Sequence, residues 1–165
     1  MTRIGLISDT HGYLDDRIFH HLEDVDQIWH AGDVGSVEVI DKLRDHKTTI
    51  GVYGNIDDHK VRLEFPEFQR FECEEVKVLM THIAGKPGKY YPEAHDALKK
   101  EAPQLFVCGH SHILMVKNDP NFDMLWMNPG ACGIKGFHQV RTMLKFQIDG
   151  DRIENLQVIE LGKRA

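Results

Sequence analysis

Aspartate, asparagine and histidine side chains recur through the first two thirds of the sequence in a series of short motifs. The motifs are Asp9-Thr10-His11, Gly32-Asp33, Gly54-Asn55-Ile56-Asp57, Thr81-His82 and Gly109-His110-Ser111-His112. Carboxylate and amide oxygens combined with imidazole nitrogens, and without a thiolate, suit Mn, Fe, Zn, Ni or Co better than Ca or Mg. Each motif alone is a weak signal, because many G-D and G-N pairs are simple turns. Together, in this order, they predict a site for divalent transition-metal ions.

An apolar run of strand length precedes each motif. The runs cover residues 4–7, 28–31, 50–53, 76–80 and 105–108, and such near-continuous apolar segments are typical of strands buried on both faces. In open α/β sheets, ligands bind outside the carboxyl ends of the strands. The strand ends are therefore expected to bring the ligand side chains to one place. The candidate metal ligands are Asp9, His11, Asp33, Asn55, His82, His110 and His112.

The spacing inside the motifs indicates how the side chains could share the ions. Side chains two residues apart in an extended segment point the same way, so Asp9 and His11 are expected to reach one ion together. His110 and His112 either do the same or bind one each of two adjacent ions. Asp33 has two carboxylate oxygens and can bridge both ions.

Amphipathic helices are expected between the apolar runs. The first has its apolar face over residues 14–25, the second begins at Ser36 as its N-cap, and the third runs from Pro92 to Pro103. Alternation of strands and helices predicts right-handed crossovers and a largely parallel arrangement of these strands.

The last third of the chain changes to a period of two. Apolar and polar residues alternate over residues 140–148, apart from Met143, and Asp149-Gly150 supplies a hairpin turn before a partner strand at 153–159. We therefore expect one α/β domain, residues 1–165, built as a four-layer α/β/β/α sandwich of two mixed sheets flanked by helices.

The composition argues against several classes of protein. The chain is 41% hydrophobic and 28% charged, which is typical of a globular domain. Its 20 basic and 26 acidic residues give a net charge of −6, which disfavours binding to a nucleic-acid polymer. No apolar run approaches the ~20 residues of a membrane helix. The start of the sequence lacks a signal-peptide pattern, so a cytoplasmic protein without membrane contact is expected. The three cysteines form no C-x-x-C motif, so a thiolate zinc site is not expected.

The ordered set D-x-H, G-D, G-N-x-D, H and G-H-x-H resembles the calcineurin-like metallophosphoesterase superfamily. The short chain and Asn128-Pro129-Gly130 are similar to its compact bacterial and archaeal phosphodiesterase branch, and the resemblance covers residues 4 to about 133. It implies a phosphoester hydrolase, more narrowly a phosphodiesterase for small phosphodiesters, with two divalent transition-metal ions. Manganese comes first among Mn, Fe, Zn, Ni and Co. The family uses a metal-bridging water or hydroxide as the nucleophile.

The resemblance also implies a role for each residue of the motifs. One metal would be held by Asp9, His11, Asp33 and His112, and the other by Asp33, Asn55, His82 and His110, with Asp33 bridging. Catalytic roles would fall to Asp33, Asn55 and Asp57, the last of which would position substrate or support the metal ligands.

Two positions depart from the family pattern. Many members carry a histidine after the G-N pair that acts as a general acid, whereas this chain has Ile56, which cannot transfer a proton. The family often has glycine after the histidine of the fourth motif, but Ile83 follows His82 here. We therefore expect esters with acidic leaving alcohols to react fastest, and the loop after His82 to have its own shape.

Other functions stay open. A non-catalytic scaffold is one, since a retromer subunit related to this family keeps the fold for protein binding, but the complete ligand set favours catalysis. A metal store would take up ions without turnover. A small phosphoester is the expected partner, and a homodimer is plausible by general prevalence.

The remaining histidines and one loop have less definite roles. His30 is a candidate support for the ligands, and the rest are expected at the surface: His20, His21, His46, His95 and His138. Residues 89–91 either line the mouth of a substrate site or form a solvated loop.

Overall fold

The computed structural model describes residues 1–164, in which strands and helices alternate through most of the chain. The first half contains β1 (Thr2–Ile7), α1 (Asp16–Leu22), β2 (Gln27–His30), α2 (Val37–His46), β3 (Thr48–Gly51), α3 (His59–Glu64), β4 (Phe68–Cys73) and β5 (Val76–Thr81). The second half contains β6 (Gly85–Lys86), β7 (Lys89–Tyr90), α4 (Pro92–Lys100), β8 (Leu105–Val107), β9 (Leu114–Asp119), β10 (Met124–Pro129), β11 (Val140–Asp149) and β12 (Arg152–Lys163).

Two five-stranded mixed sheets form the centre of the molecule. Their strand orders are β12-β11-β1-β2-β3 and β4-β5-β8-β10-β9, while β6 pairs only with β7. Strands β1, β2 and β3 are parallel, as are β5, β8 and β10. Antiparallel strands complete each sheet. The two mixed sheets are as predicted, and the parallel pairing expected from the alternation is limited to three adjacent strands of each sheet.

Three apolar clusters separate the layers of the fold. The first lies between the sheets and includes Leu6 and Trp29 from one sheet and Met80 and Val107 from the other. Complete burial of such side chains stabilises the fold by about 1.5–3 kcal/mol each. This cluster holds the two sheets face to face.

The other two clusters attach the helices to the outer faces of the sheets. Ile18, Ile40 and Val61 pack helices α1, α2 and α3 against the first sheet. Leu98 packs α4 against Phe106 of the second sheet. The predicted α/β/β/α order of layers is therefore confirmed.

Several elements differ from the sequence-based predictions. Met143 interrupts the expected alternation because it packs into the helix-side cluster, so β11 is buried on both faces. The short helix α3 was not predicted, and Asp58 caps it by accepting a hydrogen bond from the Val61 N–H. Ser36 lies at the N-cap of α2 as predicted, but its side chain makes no capping hydrogen bond. Strands β4, β9 and β10 were also missed. In the described range, none of the helices combines the length and apolar character needed to span a bilayer.

Candidate metal centre

The loops after β1, β2, β3, β5 and β8 bring the candidate ligands into one cluster. Ligand atoms of Asp9, His11 and His112 lie within 4.8 Å of one another, and we call these residues the first group. The second group consists of Asp33, His82 and His110, under the same distance limit. Asn55 Oδ1 lies 3.1 Å from His110 Nδ1 and so adjoins the second group. The side chains that the sequence analysis singled out as ligands therefore lie together.

Asp33 lies between the two groups. Its Oδ2 atom is 3.2 Å from His82 Nε2 and 3.4 Å from His11 Nε2, although His11 belongs to the first group. The other carboxylate oxygen, Oδ1, accepts a hydrogen bond from the Ile56 N–H at 3.1 Å. One oxygen is thus fixed by the backbone, and the other faces imidazoles of both groups, as a bridging ligand would.

Left-handed backbone conformations, and not an extended strand, aim the ligands. Positive φ angles occur at Asp9 (57°), His11 (46°), Asp33 (54°), His110 (72°) and His112 (62°). Such angles are found in only a few per cent of non-glycine residues and are unfavourable. The expectation that His110 and His112 would project together from an extended segment is therefore wrong in its geometry. The backbone turns between them, and each joins a different group.

Buried ligand atoms in the cluster have no hydrogen-bond partner among the described residues. They are Asp9 Oδ1, His11 Nε2 and His82 Nε2. Buried polar atoms are normally satisfied, because leaving one without a partner costs about 1–3 kcal/mol. Here the unpartnered atoms face each other, with Asp9 Oδ1 3.8 Å from His11 Nε2 and 3.7 Å from His82 Nε2. Inward-facing lone pairs of this kind fit a bound cation.

The partners of Asp9 and His82 leave one ligand atom of each side chain free. Asp9 Oδ2 accepts hydrogen bonds from Ser8 Oγ at 2.6 Å and from the His110 N–H at 3.2 Å, whereas Oδ1 is unpartnered. His82 Nδ1 lies 2.7 Å from Ala31 O, a carbonyl that can only accept. The proton of a neutral His82 is therefore on Nδ1, and the Nε2 lone pair faces Asp33.

Electrostatics in the cluster keep the carboxylates ionised and favour protonated imidazoles. Burial raises the pKa of Asp9, but the imidazoles of His11 and His112 outweigh burial and hold that pKa well below its usual range. Asp33 and then Asp9 raise the pKa of His11 to about 9. Burial lowers the pKa of His82, but Asp33 and Asp9 raise it above its ordinary value overall. Without a cation, protons take the place of positive charge in the site.

His138 orients His112, although sequence analysis placed His138 at the surface. His138 Nε2 lies 2.8 Å from Gly133 O and must donate to it, which leaves its Nδ1 as an acceptor. His112 Nδ1 lies 3.2 Å from that acceptor, so it donates the proton. His112 Nε2 is then unprotonated, and it lies 3.1 Å from Asp9 Oδ1. The surface prediction for His138 was therefore wrong. It was missed because His138 lies 26 residues from its partner, outside every motif.

Asp57 ties two ligand loops together and does not face the cluster. Its Oδ2 accepts hydrogen bonds from the N–H groups of Gly54 (2.7 Å) and Val34 (3.0 Å), and its Oδ1 accepts one from Gly35 (2.8 Å). Both oxygens are occupied and the residue is 4% exposed. The catalytic role predicted for Asp57 does not match this placement. Its geometry is that of a positioning residue for Asp33 and Asn55.

His30 and Thr10 form a second brace behind the ligands. Gly32 N–H donates to His30 Nδ1 at 3.1 Å, so His30 Nε2 carries the proton and donates to Thr10 Oγ1 at 2.9 Å. Thr10 Oγ1 in turn donates to Val34 O at 2.8 Å. Burial lowers the pKa of His30 to about 4, so the imidazole is neutral. The predicted support from His30 thus reaches the Asp9–His11 loop through Thr10, which sequence analysis did not identify.

Asn128 holds the loop that carries His110 and His112. Its Nδ2 donates to Gly109 O and to Ser111 Oγ, each at 3.0 Å, and its Oδ1 accepts from the Gly130 N–H at 2.9 Å. The Asn-Pro-Gly sequence therefore connects the end of β10 to the last ligand motif.

Comparison with known proteins agrees with this geometry. Residues 2–151 match the model of the calcineurin-like phosphoesterase superfamily domain. The chain belongs to the calcineurin-like phosphoesterase superfamily. Members are generally phosphoester hydrolases that use divalent metals, and this chain has two groups of residues able to hold such ions. The chain is also similar to a probable metallophosphoesterase of Methanocaldococcus jannaschii, 33% identical over 162 residues, 92% of this chain and 78% of the relative.

Solved structures of the superfamily share the fold. A novel archaeal phosphodiesterase superposes with a TM-score of 0.74 at 23% identity, over 95% of this chain and 99% of its own. A single mutant of Vps29 from Entamoeba histolytica also gives a TM-score of 0.74, at 15% identity, over 96% of this chain and 98% of its own. At these identities the likeness is one of fold, so activity must be argued from the site itself.

Proposed function

We propose that this calcineurin-like protein hydrolyses small phosphodiesters with two divalent transition-metal ions, of which manganese is the first candidate and Fe, Zn, Ni and Co are alternatives. The first ion would be held by Asp9, His11, His112 and Asp33, and the second by Asp33, Asn55, His82 and His110. The observation that supports this proposal is the set of buried, unpartnered ligand atoms on both sides of Asp33. When bound, paired ions of this kind activate water at neutral pH and neutralise charge on phosphoryl oxygens.

The hydroxyl groups near the ligands support water, and not a side chain, as the attacking group. Ser8 is completely buried and its Oγ donates to Asp9. Ser111 Oγ accepts hydrogen bonds from the Asn128 Nδ2 and the Ile113 N–H. Neither serine has a neighbouring base that would remove its proton, which a serine nucleophile requires.

The leaving group must depart without help from the side chain at position 56. Ile56 is 45% exposed beside Asn55, and it contributes only its N–H, which donates to Asp33. Without a proton donor there, the rate depends strongly on how well the leaving alcohol carries negative charge. Diesters of nitrophenol should react faster than dialkyl esters.

The central test compares manganese-loaded wild type with Asp33→Asn, using bis(p-nitrophenyl) phosphate as substrate. Loss of a carboxylate between the two groups should lower kcat by about 100-fold or more. Calorimetric titration should show two manganese ions bound per chain of wild type. Asp41→Asn, an exposed change on α2, is the matched control. Equal rates in wild type and Asp33→Asn would overturn the bridging role.

A non-catalytic scaffold is the second candidate, because the fold is shared with Vps29. It predicts no turnover with any metal and any diester. A metal store would bind ions tightly without turnover. Hydrolysis by the manganese-loaded protein excludes both, provided that Asp33→Asn abolishes it.

The wider setting of the protein is also a proposal. We infer a single domain over residues 1–165, located in the cytoplasm, that acts on small phosphoesters and binds neither nucleic-acid polymers nor membranes. A homodimer is the first oligomeric state to test, by light scattering on the purified chain.

A further inference from the structure

A cavity of about 640 Å³ opens beside the second group. Its lining comes from the loop after β3, from α3, from the end of β5 and from the start of α4. The side chains that matter here are Tyr53, Arg62, Glu67, His82, Ile83 and Tyr91, with Glu93 at the edge. The volume is within the range of about 300–1,000 Å³ that is typical of small-molecule sites. Because Asn55 and His82 also line it, a molecule in this cavity adjoins the second group and not the first.

One wall of the cavity is held rigidly. The Arg62 guanidinium carbon lies 4.4 Å from the centroid of the Tyr53 ring, and Arg62 Nε donates to Asp57 O at 2.8 Å. The Tyr53 hydroxyl donates to Glu67 Oε2 at 3.2 Å. The wall therefore presents a preorganised aromatic ring and guanidinium, which reduces the entropy lost when a ligand binds.

The opposite wall is apolar and aromatic. Tyr91 is 52% exposed and Ile83 is 37% exposed, although both are large apolar side chains. The neighbouring Tyr90 is held elsewhere, since its hydroxyl donates to Asp119 Oδ2 at 2.7 Å. Tyr91 therefore has a free ring at the cavity, where a flat ring of a ligand could stack.

The charges of the lining exclude two kinds of ester group. Arg62 is cationic and makes no ion pair with a carboxylate in the part of the chain that the structure describes. Glu67 and Glu93 are anionic, so the lining carries one positive and two negative side chains. A second phosphate would meet net negative charge, and an acyl chain would leave three charged groups desolvated. Neutral hydroxyl groups can donate to the carboxylates without either penalty.

We propose that this cavity binds one ester group of the phosphodiester, and that it selects a neutral group with a flat ring and hydroxyls, as nucleosides and aryl glycosides have. The inference rests on the proposed hydrolase function. Tyr91 and Ile83 contact the ring, while Glu67 and Glu93 accept hydrogen bonds from the hydroxyls. The phosphoryl group then lies at Asn55 and His82, between this cavity and Asp33.

Three diesters with the same nitrophenol leaving group test the selection. They are the p-nitrophenyl esters of thymidine 5′-phosphate, of phenyl phosphate and of ethyl phosphate, each hydrolysed by the manganese-loaded protein. The thymidine ester should exceed the ethyl ester in kcat/KM by about 10-fold or more, as expected for stacking of one base. The phenyl ester should lie between them. Tyr91→Leu should reduce the ratio of thymidine to ethyl toward one, and Leu63→Ala, an exposed change on α3, should leave the ratio unchanged.

A binding measurement separates this inference from the hydrolase proposal. Thymidine added to the metal-free protein should shift the amide resonances of Ile83 and Tyr91, and it should not shift those of Ile113. Shifts in the cavity without hydrolysis of any ester would overturn the proposed function and retain the site. Equal kcat/KM for the three esters, with no shifts at Ile83 and Tyr91, would overturn the cavity selection and retain the hydrolase.

Discussion

His112 and His138 face each other through their Nδ1 atoms at 3.2 Å, and the proton between them belongs to His112 because His138 donates to Gly133 O. This relationship sets which nitrogen of His112 is free to bind a metal. Supporting hydrogen bonds of this kind are typically worth 10–100-fold in metal affinity.

Removal of His138 should weaken metal binding at the first group. His138→Ala is expected to lower manganese affinity there by about 10–100-fold, while His138→Gln, which keeps an acceptor, should recover part of it. Calorimetric titration measures the affinities, and the absorption spectrum of the cobalt-substituted protein reports the ligand geometry. His20→Ala, an exposed change on α1, is the control. Unchanged affinity and spectrum in His138→Ala would refute the positioning role.

Asp57→Asn should destabilise the fold and the metal site together. Asparagine offers one acceptor oxygen in place of two, so at least one of the three N–H donors from Val34, Gly35 and Gly54 loses its partner. The free energy of unfolding should fall by about 1–3 kcal/mol. Urea denaturation measures this loss, and metal titration should show weaker binding at the second group. A variant that kept wild-type stability and affinity would show that the brace is dispensable.

Metal affinity should rise with pH. Asp33 and Asp9 raise the pKa of His11 to about 9, so below that pH a metal ion must displace the proton of His11. The apparent affinity should therefore increase by up to about tenfold per pH unit for one displaced proton, and level off above pH 9. Titrations in buffers of different ionisation enthalpy count the protons released. An affinity that does not change between pH 6.5 and 8.5 would contradict this coupling.

Acid should destabilise the wild type more than Asp15→Asn. Burial raises the pKa of Asp15, but Arg141 and the Ile18 N–H outweigh burial, and the net pKa is lowered. Arg141 Nη1 lies 2.9 Å from Asp15 Oδ2, and Arg141 is 4% exposed. Because the folded pKa is depressed, the ionised carboxylate stabilises the fold above its unfolded pKa of 3.8, and the contribution is lost as pH falls through the folded value.

The measurement for Asp15 is the free energy of unfolding between pH 2.5 and 7. At pH 7, Asp15→Asn should be about 1–3 kcal/mol less stable than wild type, since the buried guanidinium of Arg141 loses its counter-charge. The difference should shrink toward pH 2.5. Asp41→Asn, which changes an exposed aspartate, should follow the wild-type curve. A gap that is constant across the whole range would refute the contribution of this ion pair.

The sequence was sufficient for the layers and for the cluster of ligands, because buried parallel strands have continuous apolar runs and their ends coincide with the motifs. It was not sufficient for strands such as β4, whose residues are mostly half-buried or exposed and show no clear period. The supports of the ligands were missed for another reason. His138 reaches His112, and Thr10 reaches His30, through contacts that depend on how separate loops pack. The role of Asp57 was misjudged because its position in the G-N-x-D motif does not reveal where its carboxylate points.

The left-handed backbone at five of the ligands has a consequence for how this chain could change over generations. Glycine at such a position relieves strain of roughly 1–2 kcal/mol per residue. A drift from His110 or His112 to glycine would thus cost the metal centre while tending to make the remaining scaffold more robust. Loss of chemistry is energetically downhill here, so continued selection for turnover is what would keep these histidines in place.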